Sequence, residues 1–175
     1  MVGEIIDGEL VVSPRPSPGH SNAESEIGAE IRLPFHGPPG GGRGGPGGWW
    51  ILFEPELHLH GDALVPDVAG WRRERMSNLP KTAFFELPPD WVCEVLSPST
   101  AMYDRTGKQA IYAREGVNHL WFVDPLARTL EVLRLDGKEW RIVAAHSRDE
   151  KVRAEPFQAI EIELIRWWPE EESPK

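Results

Sequence analysis

Asp67 and Glu94 are the residues in this chain whose surroundings most need a chemical explanation. Each sits in an apolar, strand-like run, Val65-Pro66-Asp67-Val68 and Trp91-Val92-Cys93-Glu94-Val95-Leu96. A buried carboxylate is costly unless something compensates it. Adjacent strands lie about 4.8 Å apart, so carboxylates level with each other can share one divalent cation. Magnesium held there would bind a phosphate oxygen and lower the pKa of an attacking water. Lys108 follows on a predicted helix, where its ammonium would orient that water or neutralise charge developing on the phosphoryl group. Together these are the parts of a metal-dependent phosphodiesterase. The same residues also fit a structural account, with Asp67 as a turn residue after Pro66 and Glu94 paired with an arginine.

Other candidates surround this set. Asp104 and Lys108 are spaced i,i+4, with Tyr112 one turn further, so all three share a helix face. Their plain alternative is an exposed ion pair worth a few tenths of a kcal/mol. His20 and Glu24 share a face near the start of an earlier helix, where a capped, solvated helix end is the competing account. Glu56 alternates with Glu54 on the strand preceding Asp67, so one of them can face the site. His58 and His60 have a His-x-His spacing seen in some metal sites, although an alternating strand normally exposes such a pair. Trp49, Trp50, Trp167 and Trp168 suit base stacking or, more commonly, core packing. Arg72, Arg73 and Arg75 form the densest basic cluster, read as a solvated turn after a strand. Ser97 lacks a Gly-x-Ser-x-Gly setting, and Cys93 reads as a core thiol.

The elements that would position these groups follow from pattern. Glu4 to Val12 reads as a hairpin around Asp7-Gly8. Ala23, Ile27 and Ile31 predict a helix over His20 to Leu33, with Pro34 just beyond its end. Residues 37–48 are almost entirely glycine and proline and predict a flexible loop without a packed element. They lack the Gly-Lys-Ser/Thr ending of a phosphate-cradling loop. Strands are expected over Trp49 to His60, over Val65 to Trp71, and over Trp91 to Leu96, the last buried on both faces. A helical turn is expected near Lys81 to Phe85, and a longer helix over Ser99 to Glu115 with Gly116 as its C-cap. His119 to Val123, Leu130 to Leu135, Trp140 to Ala145 and Ile160 to Leu164 complete the strands. The strand–helix–strand step from Glu94 to Val123 predicts a parallel pair. The fold class is α/β, a mixed sheet flanked by helices with an N-terminal β-hairpin. One domain is expected over residues 1–168, followed by a polar tail over 169–175.

The 175 residues suffice for one full core, and 40% apolar with 27% charged residues reads as soluble and globular. No run approaches a membrane span, and the N-terminus lacks the regions of a signal peptide. The single cysteine excludes an intramolecular disulfide and a cysteine-rich zinc site. The expected compartment is the cytoplasm. The net charge of −9 argues against a general nucleic-acid binder but not against a nuclease, whose metal-holding carboxylates add negative charge.

Pro66-Asp67 followed by Glu94-Val95-Leu96-Ser97 resembles the PD-(D/E)XK nuclease superfamily. More narrowly, Glu94-Val95-Leu96-Ser97-Pro98-Ser99-Thr100, then Asp104, Lys108, Tyr112, Gly116-Val117 and Trp121-Phe122-Val123-Asp124-Pro125, resembles the large, mostly bacterial, Uma-type family of putative restriction endonucleases. Asp7-Gly8-Glu9-Leu10 and Ser13-Pro14…His20 fit the same family. The resemblance implies a restriction-endonuclease-like core and a site in which Asp67 and Glu94 hold Mg²⁺, or Mn²⁺. It implies a phosphodiesterase acting on nucleic acid, DNA before RNA, with Lys108 assisting. The usual lysine two positions after Glu94 is replaced by Leu96, and Lys108 is the substitute from the following helix. Asp104 would act directly or orient that lysine, Glu24 would touch the metal shell, and His20 would contact phosphate. A homodimer would supply two centres for a two-strand cut. The competing function is a non-catalytic binding or regulatory module with the same fold.

Overall fold

The structure is a computed structural model that describes residues 1–169; residues 170–175 of the expected polar tail lie outside it. β1 (Val2–Ile6) and β2 (Glu9–Ser13) form the N-terminal hairpin. Asp7 and Gly8, at φ 52° and 80°, make the two-residue turn that matches strand twist. α1 (Pro18–Phe35) starts at Ser17, whose hydroxyl accepts the His20 N–H, with a proline in the first turn. Its buried stripe of Ala23, Ile27 and Ile31 faces the large sheet.

That sheet has six strands in the order β10-β9-β8-β7-β6-β3. These are β3 (Trp49–Phe53), β6 (Val68–Arg72), β7 (Trp91–Val95), β8 (His119–Asp124), β9 (Thr129–Asp136) and β10 (Glu139–Ser147). β7 and β8 run parallel, as the crossover predicts, and the remaining pairs are antiparallel. Every residue of β7 is buried, consistent with its central place. A second sheet, β2-β1-β5-β4, joins the hairpin to β4 (Leu57–Leu59) and β5 (Asp62–Leu64). β11 (Lys151–Val152) pairs with β12 (Ile162–Glu163) beside a 3-10 turn at Leu164–Trp167. α1 and this C-terminal part cover one face of the large sheet over Trp91, Cys93 and Val95. The second sheet and the helical segment after β7 cover the other over Val92, Leu96 and Phe122. No helix of the described residues is long and apolar enough to cross a membrane.

Several expectations change in the structure. The strand over Trp49 to His60 is two strands, because Glu54 adopts φ 43° before Pro55 and the chain turns into the second sheet. No helical turn forms near Lys81 to Phe85. Instead Phe85 bridges Leu57, and its ring stacks on Trp71 at 4.6 Å. The helix over Ser99 to Glu115 is interrupted. It comprises α2 (Ala101–Tyr103), a wide π-type turn at Asp104–Lys108 and α3 (Gln109–Arg114).

The glycine-rich segment is not a free linker. Pro34 lies inside α1, in its last turn, rather than beyond it. The carbonyls of Leu33 and Pro34 have no later helical N–H to accept. The N–H groups of Arg43 and Gly47 fill that role at 2.8 and 2.9 Å. Gly37 and Gly48 pair further with Trp49 and with each other. The loop is a cap folded onto the helix end, and glycine is required by close approach: a Cβ on Gly42 would lie 1.8 Å from the Pro34 carbonyl oxygen. Gly44 has open space around it but a φ of +78°. Gly42→Ala should therefore lower unfolding free energy in urea by about 2–3 kcal/mol, against about 1 kcal/mol for Gly44→Ala. Equal, near-zero effects would show the loop to be a linker after all.

Candidate functional site

Asp67 is the residue before β6. The register Val68↔Cys93 sets it level with Glu94 on β7. The β6–β7 ladder stops there, and the Val95 N–H is met by a side chain: it donates to Asp67 Oδ2 at 2.6 Å. The other oxygen, Oδ1, lies 3.1 Å from His20 Nε2 on the first turn of α1. Burial works against a charged imidazole, but the hydrogen bond and charge of Asp67 outweigh it and raise the His20 pKa. Glu24, one turn along α1, completes a group with His20 and Asp67 whose donor atoms lie within 4.8 Å of one another. Burial, reinforced by Asp67 and Glu54 and opposed by His20, pushes the Glu24 carboxyl up to about 7.

Glu94 is 1% exposed. Its Oε1 accepts the Tyr112 hydroxyl at 2.6 Å, and Lys108 Nζ lies 3.4 Å from its carboxylate oxygens. The same ammonium lies 3.2 Å from Asp104 and 3.0 Å from Glu4. Glu4 comes from β1, where alternation with Ile6 turns it inward, and it also accepts the Val65 N–H at 2.8 Å. Gly107 in the π-type turn lets the hairpin come close, since a Cβ there would sit 2.7 Å from Ile6. Glu4, Glu94, Asp104 and Lys108 are all buried. Burial raises the Glu94 pKa well above its ordinary value, with Lys108 opposing and the nearby carboxylates adding. Burial likewise raises Asp104 against the pull of Lys108. For Lys108, burial alone would lower the pKa, but Glu94, Asp104 and Glu4 reverse this and hold it above the ordinary lysine range.

The two groups open into one pocket of about 280 Å³. Its walls carry five carboxylates, those of Glu4, Glu54, Asp67, Glu94 and Asp104, against Lys108, Arg15 and His20. That excess of carboxyl groups over cationic ones, in oxygen donors with one imidazole, fits a hard divalent cation. Asp67 and Glu24 with His20, and Glu94 across from Asp67, are the residues that would hold it. Asp67, Glu94, Lys108, Asp104 and His20 line the pocket together, and Glu24 places a carboxylate oxygen within 4.8 Å of donor atoms of His20 and Asp67. Glu56 does not join them. The turn at Glu54-Pro55 points Glu56 to His58, 2.6 Å away, and leaves Glu54 lining the pocket. His58 and His60 do not converge: the first stacks on Phe84 and the second meets Glu115. Trp49, Trp167 and Trp168 are buried in the core, and only Trp50 of the four is half-buried at an edge.

Glu4 and Arg15 were not singled out by sequence, whereas Glu54 was weighed only as the alternative to Glu56. Glu4 was recoverable: a carboxylate on the inward face of a hairpin, two residues from Ile6, is the same signal that marks Glu94. Arg15 lies in a proline loop, and nothing in its neighbours marks it.

No curated protein matches the sequence. The fold is similar to that of a crystal structure of a putative nuclease belonging to DUF820 from Anabaena variabilis, with a TM-score of 0.75 at 21% identity over 94% of this chain and 90% of that one. The family model for Uma2, putative restriction endonuclease, matches residues 3–165, so the chain belongs to that family.

Proposed function

We propose that the protein is a divalent-metal-dependent endonuclease that hydrolyses phosphodiester bonds, with DNA as substrate. The observation that carries this reading is the reach of Lys108. Although displaced to the helical segment after β7, its Nζ lies 3.4 Å from Glu94, which faces Asp67 across the β6–β7 pair in the same pocket. Mg²⁺, or Mn²⁺, bound by Asp67 and Glu94 would polarise a phosphoryl oxygen and acidify a water. The chain's own residues do the rest. Asp67, fixed by the Val95 N–H and His20, presents a carboxylate of set direction. Tyr112 orients Glu94 in the same way. Lys108 stays protonated and offsets negative charge as the phosphate is attacked. Glu24 and His20 adjoin the metal shell, and Arg15 at the pocket wall suits a phosphate. A pair of chains acting in the cytoplasm would cut both strands.

One observation favours the alternative, a non-catalytic module with the same fold. The Lys108 ammonium is already engaged by three carboxylates, which an idle structural network would also do. Cleavage of supercoiled plasmid separates the two. The wild type should nick and linearise it with Mg²⁺ or Mn²⁺ and lose this in EDTA. Asp67→Ala, Glu94→Gln and Lys108→Ala should each reduce the rate at least about 100-fold, the scale expected when charge stabilisation at a reacting centre is removed. Circular dichroism would verify that each variant folds. Wild type and Asp67→Ala cutting equally poorly with both metals would contradict the enzyme reading.

Glu24 supplies an independent test without turnover. Burial pushes its carboxyl up to about 7 in the folded chain from the ordinary 4.5. Between those values the native state binds more protons than the unfolded one, so stability falls as pH rises through that window. Partial solvent contact limits the loss to about 1–2 kcal/mol. In EDTA, Glu24→Gln should flatten this fall, and Mg²⁺ added above pH 7 should raise the Tm of the wild type more than that of the variant. Identical pH slopes and identical Mg²⁺ responses would remove Glu24 from the metal shell.

A further inference from the structure

At the far end of α1 from His20, the charge balance of the molecule reverses locally. Arg32 lies in the last turn of the helix. Arg43 is at the tip of the glycine loop, anchored through its N–H to the Leu33 carbonyl at 2.8 Å. Arg73 follows β6, where its N–H donates to Gly48 at 2.9 Å and its guanidinium lies 3.5 Å over the Trp50 ring. His36 sits among them, its ring 5.6 Å from Trp50. Burial lowers its pKa and the charges of Arg32 and Arg73 lower it further, so both arginines act on one spot. Neutral His36 accepts the Ile51 N–H at 3.0 Å, which ties this patch to the β3 edge.

Among the described residues, none of the three arginine side chains forms an ion pair with a carboxylate. In a chain with 28 acidic and 19 basic residues, that concentration needs a reason. Glu30, two residues before Arg32, turns instead to the Trp167 indole N–H at 2.7 Å. Glu74 is the adjacent acidic side chain in sequence and is exposed. Arg75 is spent on Asp90 at 2.8 Å, and Arg72 turns to Trp49.

We propose that Arg32, Arg43 and Arg73 form a docking patch for the sugar–phosphate backbone of a nucleic acid, held in line with the Asp67–Glu94 pocket along the β3 edge. The choice of polyanion rests on the nuclease reading. β3 runs from the patch at Trp50 to Glu54 at the pocket, about 13 Å at 3.3 Å per residue. α1 runs from Arg32 to His20, about 18 Å at 1.5 Å per residue. Those spans correspond to about four to five phosphates of one duplex strand. Trp50 holds the Arg73 guanidinium flat and fixes its direction. The residues flanking Arg43 are glycines, so no neighbouring side chain in the loop blocks a polymer backbone. The patch gives an acidic protein its local means of holding an acidic substrate.

The test is fluorescence anisotropy of the full-length chain with labelled duplex DNA in EDTA, so that cleavage does not intervene. Arg32→Gln/Arg43→Gln/Arg73→Gln should weaken binding at least about tenfold and reduce the slope of log affinity against log salt by about two to three. Arg43→Glu alone, at a side chain with no hydrogen bond or ion pair among the described residues, should weaken binding by about threefold or more. Lys138→Gln/Arg153→Gln, elsewhere on the surface, should leave it within about twofold. Wild-type affinity and salt slope in both the triple variant and Arg43→Glu would overturn the patch, as would a wild type that binds no DNA. So would arginine-dependent binding to phosphatidylserine vesicles with DNA binding unaffected. Plasmid cleavage by the wild type separates the two proposals. Loss of the patch effect with cleavage intact leaves the nuclease standing, and a strong patch effect without cleavage leaves the patch standing alone.

Discussion

A single buried ammonium determines how the site is assembled. Lys108 joins three segments far apart in sequence: Glu4 of the hairpin, Glu94 of the central strand and Asp104 of the π-type turn. None of these carboxylates would be stable at such depth alone. Together they outnumber the one lysine, so the cluster remains electrostatically unfinished. Excess negative charge opening into a pocket beside Asp67 is the property on which both the metal and the substrate reading depend. A network built only for stability would more simply have been replaced by apolar packing.

The neighbouring elements can be understood as supports for that arrangement. The large sheet fixes Glu94 by burying β7 on both faces, and the end of the β6 ladder frees the Val95 N–H to hold Asp67. α1 carries His20 and Glu24 to one end of β3 and Arg32 to the other. The hairpin is not an appendage, because its inward carboxylate completes the lysine's surroundings. The missing Cβ of Gly107 allows that contact. The glycine-rich loop finishes the far end of α1 and exposes an arginine there.

Much of this was legible in the sequence, for identifiable reasons. Asp67 and Glu94 stood out because a charge inside an apolar strand run violates the usual pattern. The hairpin was legible from Asp7-Gly8, and the parallel β7–β8 pair from the crossover around the helix. The strand break at Glu54 was hidden because it depends on one left-handed residue, and with it went the choice between Glu54 and Glu56. The ordered glycine loop was hidden for a different reason. Composition predicts flexibility, whereas the unmet carbonyls of Leu33 and Pro34 impose order through tertiary contact. Glu4 carried a readable signal but lies in a short strand, where alternation over few residues is weak evidence.

If the site is as proposed, one divalent cation binds between the Asp67 and Glu94 carboxylates within reach of the displaced lysine. Anomalous diffraction from crystals soaked in Mn²⁺ tests this most directly. The expected result is a peak coordinated by both Asp67 and Glu94, with Lys108 Nζ within about 5 Å of it. No peak, or a peak held by His20 and Glu24 while Glu94 stays closed on Tyr112 and Lys108, would contradict it.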